Sequence, residues 1–423
     1  MQSRAIMTCR RGFCAASAIY RFYHRLRFSD PCAANGRKFA NGTEAWNSGM
    51  QVLNVEAGTS RLLNARRHGL RPRAAMAVAV HGSRAWLSGG VNQFERASDQ
   101  VQVFDRYQRS TMEAARMRVP RARHSAVVLQ EWLVLCGGYN AAERFLVNCE
   151  ALPLAQNAHV GAHTWQLLVD MMPQPQCKHA AVVFHGRMLL IGGSSYERII
   201  SSRVVSADLW LESPMAGASR HSVRPRLNWH QQQWTLRVAR VSPAAAVHKD
   251  KLVLCGGFGN TGRLDTCEFL CSLNADWILV EELRLQEPRY GSVLLTLLSY
   301  DALLIVGGKA SSIASESSLQ SVEQIDMRAF ETGNATEQAA RILPVKLARA
   351  CHFSAAFPLL TDHHHWTDTE RPKLSLDYEH DTAATVAGEW TEHAANTAGS
   401  CERAPAVVLV TSVAQLWLFS YKL

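Results

Sequence analysis

Residues 121–138 read RARHSAVVLQEWLVLCGG, and this stretch decides the fold. A basic segment with a histidine opens a short apolar run, Gln130-Glu131 interrupt it, and a second apolar run ends in Gly137-Gly138. Short β-branched and apolar runs separated by polar turn residues predict two antiparallel strands joined by a tight turn. The glycine pair predicts a sharp backbone turn where the second strand ends.

Apolar runs that end in a glycine pair recur along the chain. The first glycines stand at positions 89, 137, 192, 256 and 307, so the spacings are 48, 55, 64 and 51 residues. Short strands repeated at this period predict one small antiparallel sheet per copy. We interpret the paired glycines as structural residues; they are Gly89, Gly90, Gly137, Gly138, Gly192, Gly193, Gly256, Gly257, Gly307 and Gly308.

These residues resemble the kelch repeat, which builds a β-propeller with one four-stranded blade per copy. In kelch repeats a basic residue, often followed by histidine, opens the first strand, and a tryptophan opens the fourth. Trp165 and Trp277 stand 13 and 12 residues before the next opening position, and Trp234 is a third candidate. The repeat at 244–257 lacks the opening Arg-His. We assign the opening positions to Arg73, Arg121-Ala122-Arg123-His124, Lys178-His179 and Arg289.

A degenerate last copy extends the resemblance toward the C-terminus. Residues 349–357 resemble an opening strand, and residues 406–410 resemble a second strand without its glycines. Residues 62–64 stand where a fourth strand belongs, so an N-terminal strand would close the ring and remove the sheet edges. The resemblance therefore implies an all-β, kelch-type β-propeller of six four-stranded blades, closed by an N-terminal strand. The extra apolar run at 51–55 leaves seven blades as the alternative.

The repeats divide the chain into four parts. Residues 1–45 form a basic N-terminal segment, and residues 46–358 form the blades. Residues 359–404 form an acidic, histidine-containing insertion that we predict to be flexible, and residues 405–423 supply C-terminal strands that complete the last blade. A chain of 423 residues with 47% hydrophobic positions is neither a disordered protein nor a small disulfide-stapled scaffold.

The positive charge is concentrated at the N-terminus. The chain has a formal net charge of +9, yet residues 1–73 alone hold 13 basic and 3 acidic side chains. Residues 1–29 contain six arginines and no acid, the composition of a mitochondrial presequence. The alternative is a basic arm that contacts RNA or an acidic partner.

Cysteine, histidine and glycine patterns predict no metal site and no cofactor. The 11 cysteines match no zinc spacing, so we predict free thiols in a reducing compartment. His363-His364-His365 lie in the predicted flexible insertion, where neighbouring imidazoles do not converge on one metal. Residues 257–262 spell G-x-G-x-x-G, but the run that follows predicts a strand, whereas a dinucleotide site needs a helix.

No spacing predicts a catalytic site. Some proteins of this resemblance are enzymes, namely copper oxidases of the galactose oxidase type and sialic acid epimerases. Tyr139, Tyr196, Cys136 and His179 are suitable residue types for a copper site, but no arrangement separates them from ordinary strand and turn residues. We therefore predict a protein that is not an enzyme, with a propeller enzyme as an alternative.

Basic residues follow the glycine pairs at similar offsets. In a propeller, loops at these positions project toward one face. We therefore predict that their basic side chains form a ring at the channel mouth that binds an acidic peptide or a phosphate. Glu95, Glu143 and Glu197 precede three of the arginines and neutralise them in the alternative interpretation. The acidic insertion at 359–404 is a candidate internal competitor for this face. The candidate partner-binding residues are Arg96, Arg144, Arg198, Arg263 and Lys309.

These patterns predict a non-catalytic protein–protein interaction scaffold, an accessory subunit of a large assembly in the mitochondrial matrix. A ribonucleoprotein is one form of that assembly, with RNA contact through the basic N-terminus. The alternative is a cytosolic kelch adaptor that presents a partner to another complex. Polar residues interrupt the longest apolar stretch, 406–421, so we predict no membrane span.

Overall fold

The computed structural model describes residues 49–358 with short gaps, and residues 408–411. The presequence prediction, the acidic insertion and most of residues 405–423 lie outside the described residues. The gaps are 55–57, 65–68, 72, 74, 92–95, 107, 109, 155–163, 196–198, 213–222, 231–233, 298–299, 313–314, 329–338 and 352–355.

Five antiparallel sheets follow one another along the chain as the blades of a propeller, and each contains one glycine pair. The fifth has an additional strand, Lys309–Ser312, that pairs with its third strand. From the inner to the outer strand, blade 1 has Ala77–His81, Arg84–Ser88, Val101–Asp105 and Ser110–Glu113; blade 2 has Ser125–Leu129, Trp132–Cys136, Cys149–Pro153 and Gln166–Leu167; blade 3 has Ala180–Phe184, Arg187–Ile191, Val204–Glu212 and Arg224–His230; blade 4 has Ala244–His248, Lys251–Cys255, Thr266–Leu270 and Ile278–Arg284; blade 5 has Val293–Leu297, Ala302–Val306, Ser315–Asp326 and Ala340–Cys351.

The second strand of each blade is apolar on both faces because each face packs against a different neighbouring blade. In blade 2, Leu133 and Leu135 pack in one cluster with Val103 of blade 1. Val134, from the same strand, packs in another cluster with Met188 of blade 3. Every residue of Trp132–Cys136 is buried, which explains why this run shows no alternation of apolar and polar residues.

A series of backbone hydrogen bonds passes from blade to blade just before the inner strands. The residue two positions before each inner strand has a left-handed backbone, with φ between 51° and 64°. In blades 2 to 5 its amide donates to the carbonyl of the equivalent residue one blade earlier, at distances of 2.9–3.0 Å. These four hydrogen bonds link the five consecutive blades; the residues that they join are Ala75, Arg123, Lys178, Ser242 and Gly291.

The arrangement has five blades, so the predicted count of six, with seven as the alternative, is not matched. A further four-stranded sheet joins both ends of the described chain, in the order Thr59–Asn64, Gly49–Asn54, Val408–Thr411, Ala356–Pro358. It packs against blade 5, where Leu53 shares a cluster with Leu304. No glycine pair follows Val408–Thr411, the strand equivalent to the second strand of a blade. Residues 359–407 separate this strand from Ala356–Pro358, so the sheet differs from the five continuous repeats. Closure of the ring by an N-terminal strand stays a prediction.

Two of the three tryptophan predictions are confirmed. Trp165 and Trp277 are buried and directly precede the outer strands of blades 2 and 4. The prediction for Trp234 is wrong, because the outer strand of blade 3 is Arg224–His230 and ends before it. The third and outer strands of blade 3 are longer than those of blades 1 and 2, which displaces the tryptophan from the start of the outer strand.

The prediction of free thiols is wrong for five of the described cysteines. Cys136 and Cys149 form a disulfide between the second and third strands of blade 2, and Cys255 and Cys267 form the equivalent one in blade 4. Cys177 is also disulfide-bonded. In both blades the two cysteines are direct cross-strand partners with Cα atoms 4.2 Å apart, a proximity that spacing along the chain could not reveal.

We expect these disulfides to be detectable by alkylation of the unfolded protein without reductant. Cys271, which is exposed and unpaired, should react at once. The Cys136–Cys149 and Cys255–Cys267 pairs should stay as linked peptides in mass spectrometry until a reductant is added. Free reaction of all four cysteines before reduction would show that the protein is reduced in its own compartment.

Candidate functional site

Two sets of loops meet on one face of the propeller. Residues that follow a glycine pair form isolated β-bridges with the segment that leads into an inner strand, as in Ala122 with Tyr139 and Val241 with Phe258. The second glycine of a pair also donates to the next blade; the Gly138 amide bonds to the Gln176 carbonyl at 2.8 Å. We call the surface formed by these two sets of loops the loop face.

A buried arginine holds the loop face of blade 2 together. Arg121 is fully buried, and its Nη1 donates to the carbonyl oxygens of Gly137 at 2.9 Å and Asn148 at 3.2 Å. Its Nη2 donates to Oε1 of Glu150, also fully buried, at 2.7 Å. Burial lowers the pKa of Arg121, and the Glu150 carboxylate opposes that shift. Blades 4 and 5 repeat the pair as Arg240–Glu268 and Arg289–Glu323. Arg240 therefore holds the opening position of the repeat at 244–257, and the prediction that this repeat lacks its opening arginine is wrong; only the histidine is missing, because Pro243 stands in its place.

The buried glutamates also fix the loops that lead into the inner strands. Glu150 accepts hydrogen bonds from the amides of Arg118 at 2.6 Å and Val119 at 3.0 Å. Glu268 accepts from the amides of Arg237 and Val238 in the same way, and Glu323 from those of Gln286 and Glu287. We call each such arginine and glutamate, with the two amides, a clamp. The opening basic residues therefore hold the loops rigidly from inside.

Blades 1 and 3 lack the complete arginine–glutamate pair. In blade 1 Gln102 takes the place of the glutamate opposite Arg73, and burial lowers the pKa of Arg73 to about 10. In blade 3 both charges are missing. The opening position is Gln176, not Lys178 as predicted, and Val205 takes the glutamate's place in the strand register. Pro173 stands at the position of Arg118 and has no amide hydrogen. A glutamate in blade 3 would therefore lack one of the two amide donors that Glu150 has.

Two serine–histidine contacts lie between neighbouring blades. His124 Nε2 lies 2.9 Å from Ser88 Oγ, and His179 Nε2 lies 2.9 Å from Ser125 Oγ. All four residues are buried, and neither Nδ1 has a hydrogen-bond partner among the described residues. A nucleophilic serine needs access to substrate and a base oriented by a third group. Among the described residues, neither contact has both of these features.

The two histidines should make the protein sensitive to acid. Burial lowers the pKa of His179 to about 4 and that of His124 well below its ordinary value. Stability from a depressed pKa is present above the unfolded value of about 6.5 and is lost as pH falls toward the folded value. His179 alone should account for up to about 3 kcal/mol of lost unfolding free energy between pH 7 and 4. Denaturant melts at several pH values should show this loss, and a smaller one in His179→Gln; equal acid sensitivity in both proteins would contradict it.

The five basic residues of the predicted ring occupy different environments. Arg96 and Arg144 are exposed, and Arg263 is half-buried with its guanidinium 5.8 Å from the centre of the Tyr290 ring. Lys309 is fully buried at the start of an extra strand, so it does not stand exposed at the channel mouth. Arg198 lies outside the described residues. The binding roles of these residues stay predictions.

Strand register explains why equal sequence offsets do not give equal positions. In blade 4 Arg263 pairs with Phe258, the residue that directly follows the glycine pair. In blade 2 Phe145 takes that position opposite Tyr139, and Arg144 is shifted by one residue. A shift of one residue sends a side chain to the opposite face of a hairpin. Arg144 consequently points to solvent, whereas Arg263 packs on Tyr290.

The described residues contain neither a metal-binding cluster nor a membrane-spanning helix. In this part of the chain, no three or more His, Cys, Asp or Glu side chains are grouped so that they could hold a metal ion. Within the same residues, no helix is long and apolar enough to cross a membrane.

Comparison with known proteins supports the fold. Alpha-scruin of Limulus polyphemus, a kelch-repeat protein, is 26% identical over 290 residues, which cover 66% of this chain and 28% of that protein. The solved structure of YjhT superposes with a TM-score of 0.51 at 12% identity, covering 68% of this chain and 87% of the other. The chain is thus distantly similar to a kelch-repeat protein in sequence, and its fold is similar to that of YjhT.

A third similarity is more limited, and no family model matches the chain. The dynein alpha chain of the flagellar outer arm of Chlamydomonas reinhardtii is 24% identical over 153 residues, 34% of this chain and 3% of that protein. The chain thus spans less than a third of either sequence relative. The likeness to YjhT, at 12% identity, concerns the fold alone.

Proposed function

We propose that this chain is a non-catalytic protein–protein interaction scaffold that binds its partners through the loop face. The observation that carries the proposal is the set of buried clamps, which hold exposed loops in fixed positions through ion pairs at 0% side-chain exposure. Loops fixed in this way bind without a large ordering cost. The distant relationship to a kelch-repeat protein supports the same class of function.

We further propose that the scaffold is an accessory subunit of a mitochondrial assembly, with a ribonucleoprotein as one form. The acid-free, arginine-rich composition of residues 1–29 supports this location. The disulfides of blades 2 and 4 count against the reducing matrix, because such bonds persist in oxidising compartments. A cytosolic adaptor is the alternative binding function. The serine–histidine contacts do not favour an enzyme, because both are buried.

Affinity purification of the C-terminally tagged protein from its own cells tests the proposal. Quantitative mass spectrometry would identify partners, and sequencing of the mature N-terminus would show whether residues are removed. Stoichiometric mitochondrial partners with a processed N-terminus are the expected result. An intact Met1 with cytosolic partners would support the adaptor. A protein without stoichiometric partners would overturn the scaffold function.

A further inference from the structure

Arg118 and Arg237 occupy equivalent positions at the margin of the loop face, in blades 2 and 4. Each backbone amide is held by a buried glutamate of its clamp. Each Nε donates to the carbonyl of the tryptophan before the outer strand, Trp165 at 2.7 Å and Trp277 at 3.1 Å. Both arginines are exposed, and their Nη atoms donate to no described residue.

Blade 5 shows that anchoring to the outer strand does not need an arginine. Gln286 stands at the equivalent position, its amide bonds to Glu323, and its Nε2 donates to the Ala340 carbonyl at 3.2 Å. A neutral amide therefore makes the same two contacts as Arg118 and Arg237. The guanidinium groups of blades 2 and 4 add a positive charge and fixed, outward Nη donors, which the local fold does not require.

The neighbouring acidic side chains pair with other arginines, which leaves Arg118 and Arg237 available to a ligand. Asp99 and Asp265, acids of adjoining loops, are engaged by Arg116 at 3.0 Å and Arg284 at 3.2 Å. Arg144 adds a further exposed guanidinium to blade 2, beside the exposed Glu143. A guanidinium held at Nε presents its two Nη groups as a fork that matches the two oxygens of a carboxylate.

The aromatic side chains beside the two arginines favour an acidic peptide over RNA. Single-stranded RNA is bound mainly by stacking of bases on exposed aromatic rings. Trp165 and Trp277 are 2% and 1% exposed, so neither offers a ring face to a base. The contacts available at this margin are charged hydrogen bonds.

We propose that Arg118 and Arg237 bind carboxylate side chains of an acidic protein segment, one in blade 2 and one in blade 4. This inference rests on the scaffold function proposed above and names the partner chemistry of its loop face. The partner segment lies along the margin of the loop face and carries Asp or Glu side chains that reach both arginines. Binding should weaken as salt rises, because each contact is an exposed ion pair.

Binding of labelled peptides tests the chemistry. We expect a poly-glutamate peptide to bind the full chain, and a poly-glutamine peptide of equal length not to bind. Arg118→Gln with Arg237→Gln copies blade 5, so the thermal midpoint should stay unchanged while poly-glutamate affinity falls about tenfold or more. Arg224→Gln with Arg341→Gln, two exposed arginines on the outer strands of blades 3 and 5, is the matched control and should bind like the wild type. Equal affinity of the two double variants, or tighter binding of poly-uridine RNA than of poly-glutamate, would overturn the inference.

Purification from cells separates failure of this inference from failure of the scaffold function. Stoichiometric partners with the wild type but not with Arg118→Gln/Arg237→Gln would support both. The same partners with both proteins would leave the scaffold standing and remove the two arginines as its binding residues. No stoichiometric partner with either protein, together with absent poly-glutamate binding, would remove both.

Discussion

Replacing Glu268 with alanine is expected to lower the free energy of unfolding by about 3 to 5 kcal/mol. The carboxylate is fully buried and pairs with the fully buried Arg240, which would be left as a buried charge without its partner. The amides of Arg237 and Val238 would lose their acceptor as well. Equilibrium denaturation in guanidinium chloride measures the loss.

The other blades supply matched controls for this prediction. Glu268→Gln copies the Arg73–Gln102 pair of blade 1 and should cost less than alanine, because an acceptor oxygen remains. Arg240→Gln with Glu268→Val copies Gln176 and Val205 of blade 3. This double variant should lose less stability than the two single variants together, since no charge is left buried alone. Additive losses, or a loss below about 1 kcal/mol for Glu268→Ala, would show that the clamp is not a coupled unit.

Replacing Gly137 with alanine should destabilise the protein by about 4 kcal/mol or more. Its backbone has a φ of 64°, which a residue with a Cβ adopts only with strain. The new Cβ would also lie 2.5 Å from the Gln176 carbonyl oxygen and 2.9 Å from Met172 Cε. That carbonyl accepts the bond from Gly138 that joins blades 2 and 3, so it cannot move away freely.

Gly186 is the matched control for the glycine prediction. It has a φ of 76°, but a Cβ built there meets no atom within 4 Å. Gly186→Ala should therefore cost only the strain of a left-handed backbone, about 1 to 2 kcal/mol. Thermal denaturation of both variants separates strain from steric overlap. Similar losses in the two proteins would mean that close approach of the blades does not explain the glycine pairs.

The sequence predicts the positions of several residues of the candidate site, but it does not predict their burial or their contacts. The repeat pattern identifies Arg121 and Arg289 as opening residues, and the structure shows that they are buried parts of clamps. The repeat pattern does not single out Arg118 and Arg237, although both stand three residues before an arginine that is a clamp member. This spacing is a signal in the sequence, but only the contacts to Glu150, Glu268 and the tryptophan carbonyls distinguish these residues from other surface arginines.

The amino-acid sequence alone determined the repeat, the strand order within a blade and the place of the glycine pairs. Short apolar strands and tight turns are specified by residues that are adjacent along the chain. Only the tertiary structure decided how many continuous blades form, which cysteines pair, and which arginines face solvent. These properties depend on the register between strands and on contacts between blades. A shift of one residue exposes Arg144 where Arg263 packs on Tyr290, and Cys136 meets Cys149 only when two strands of one blade are aligned.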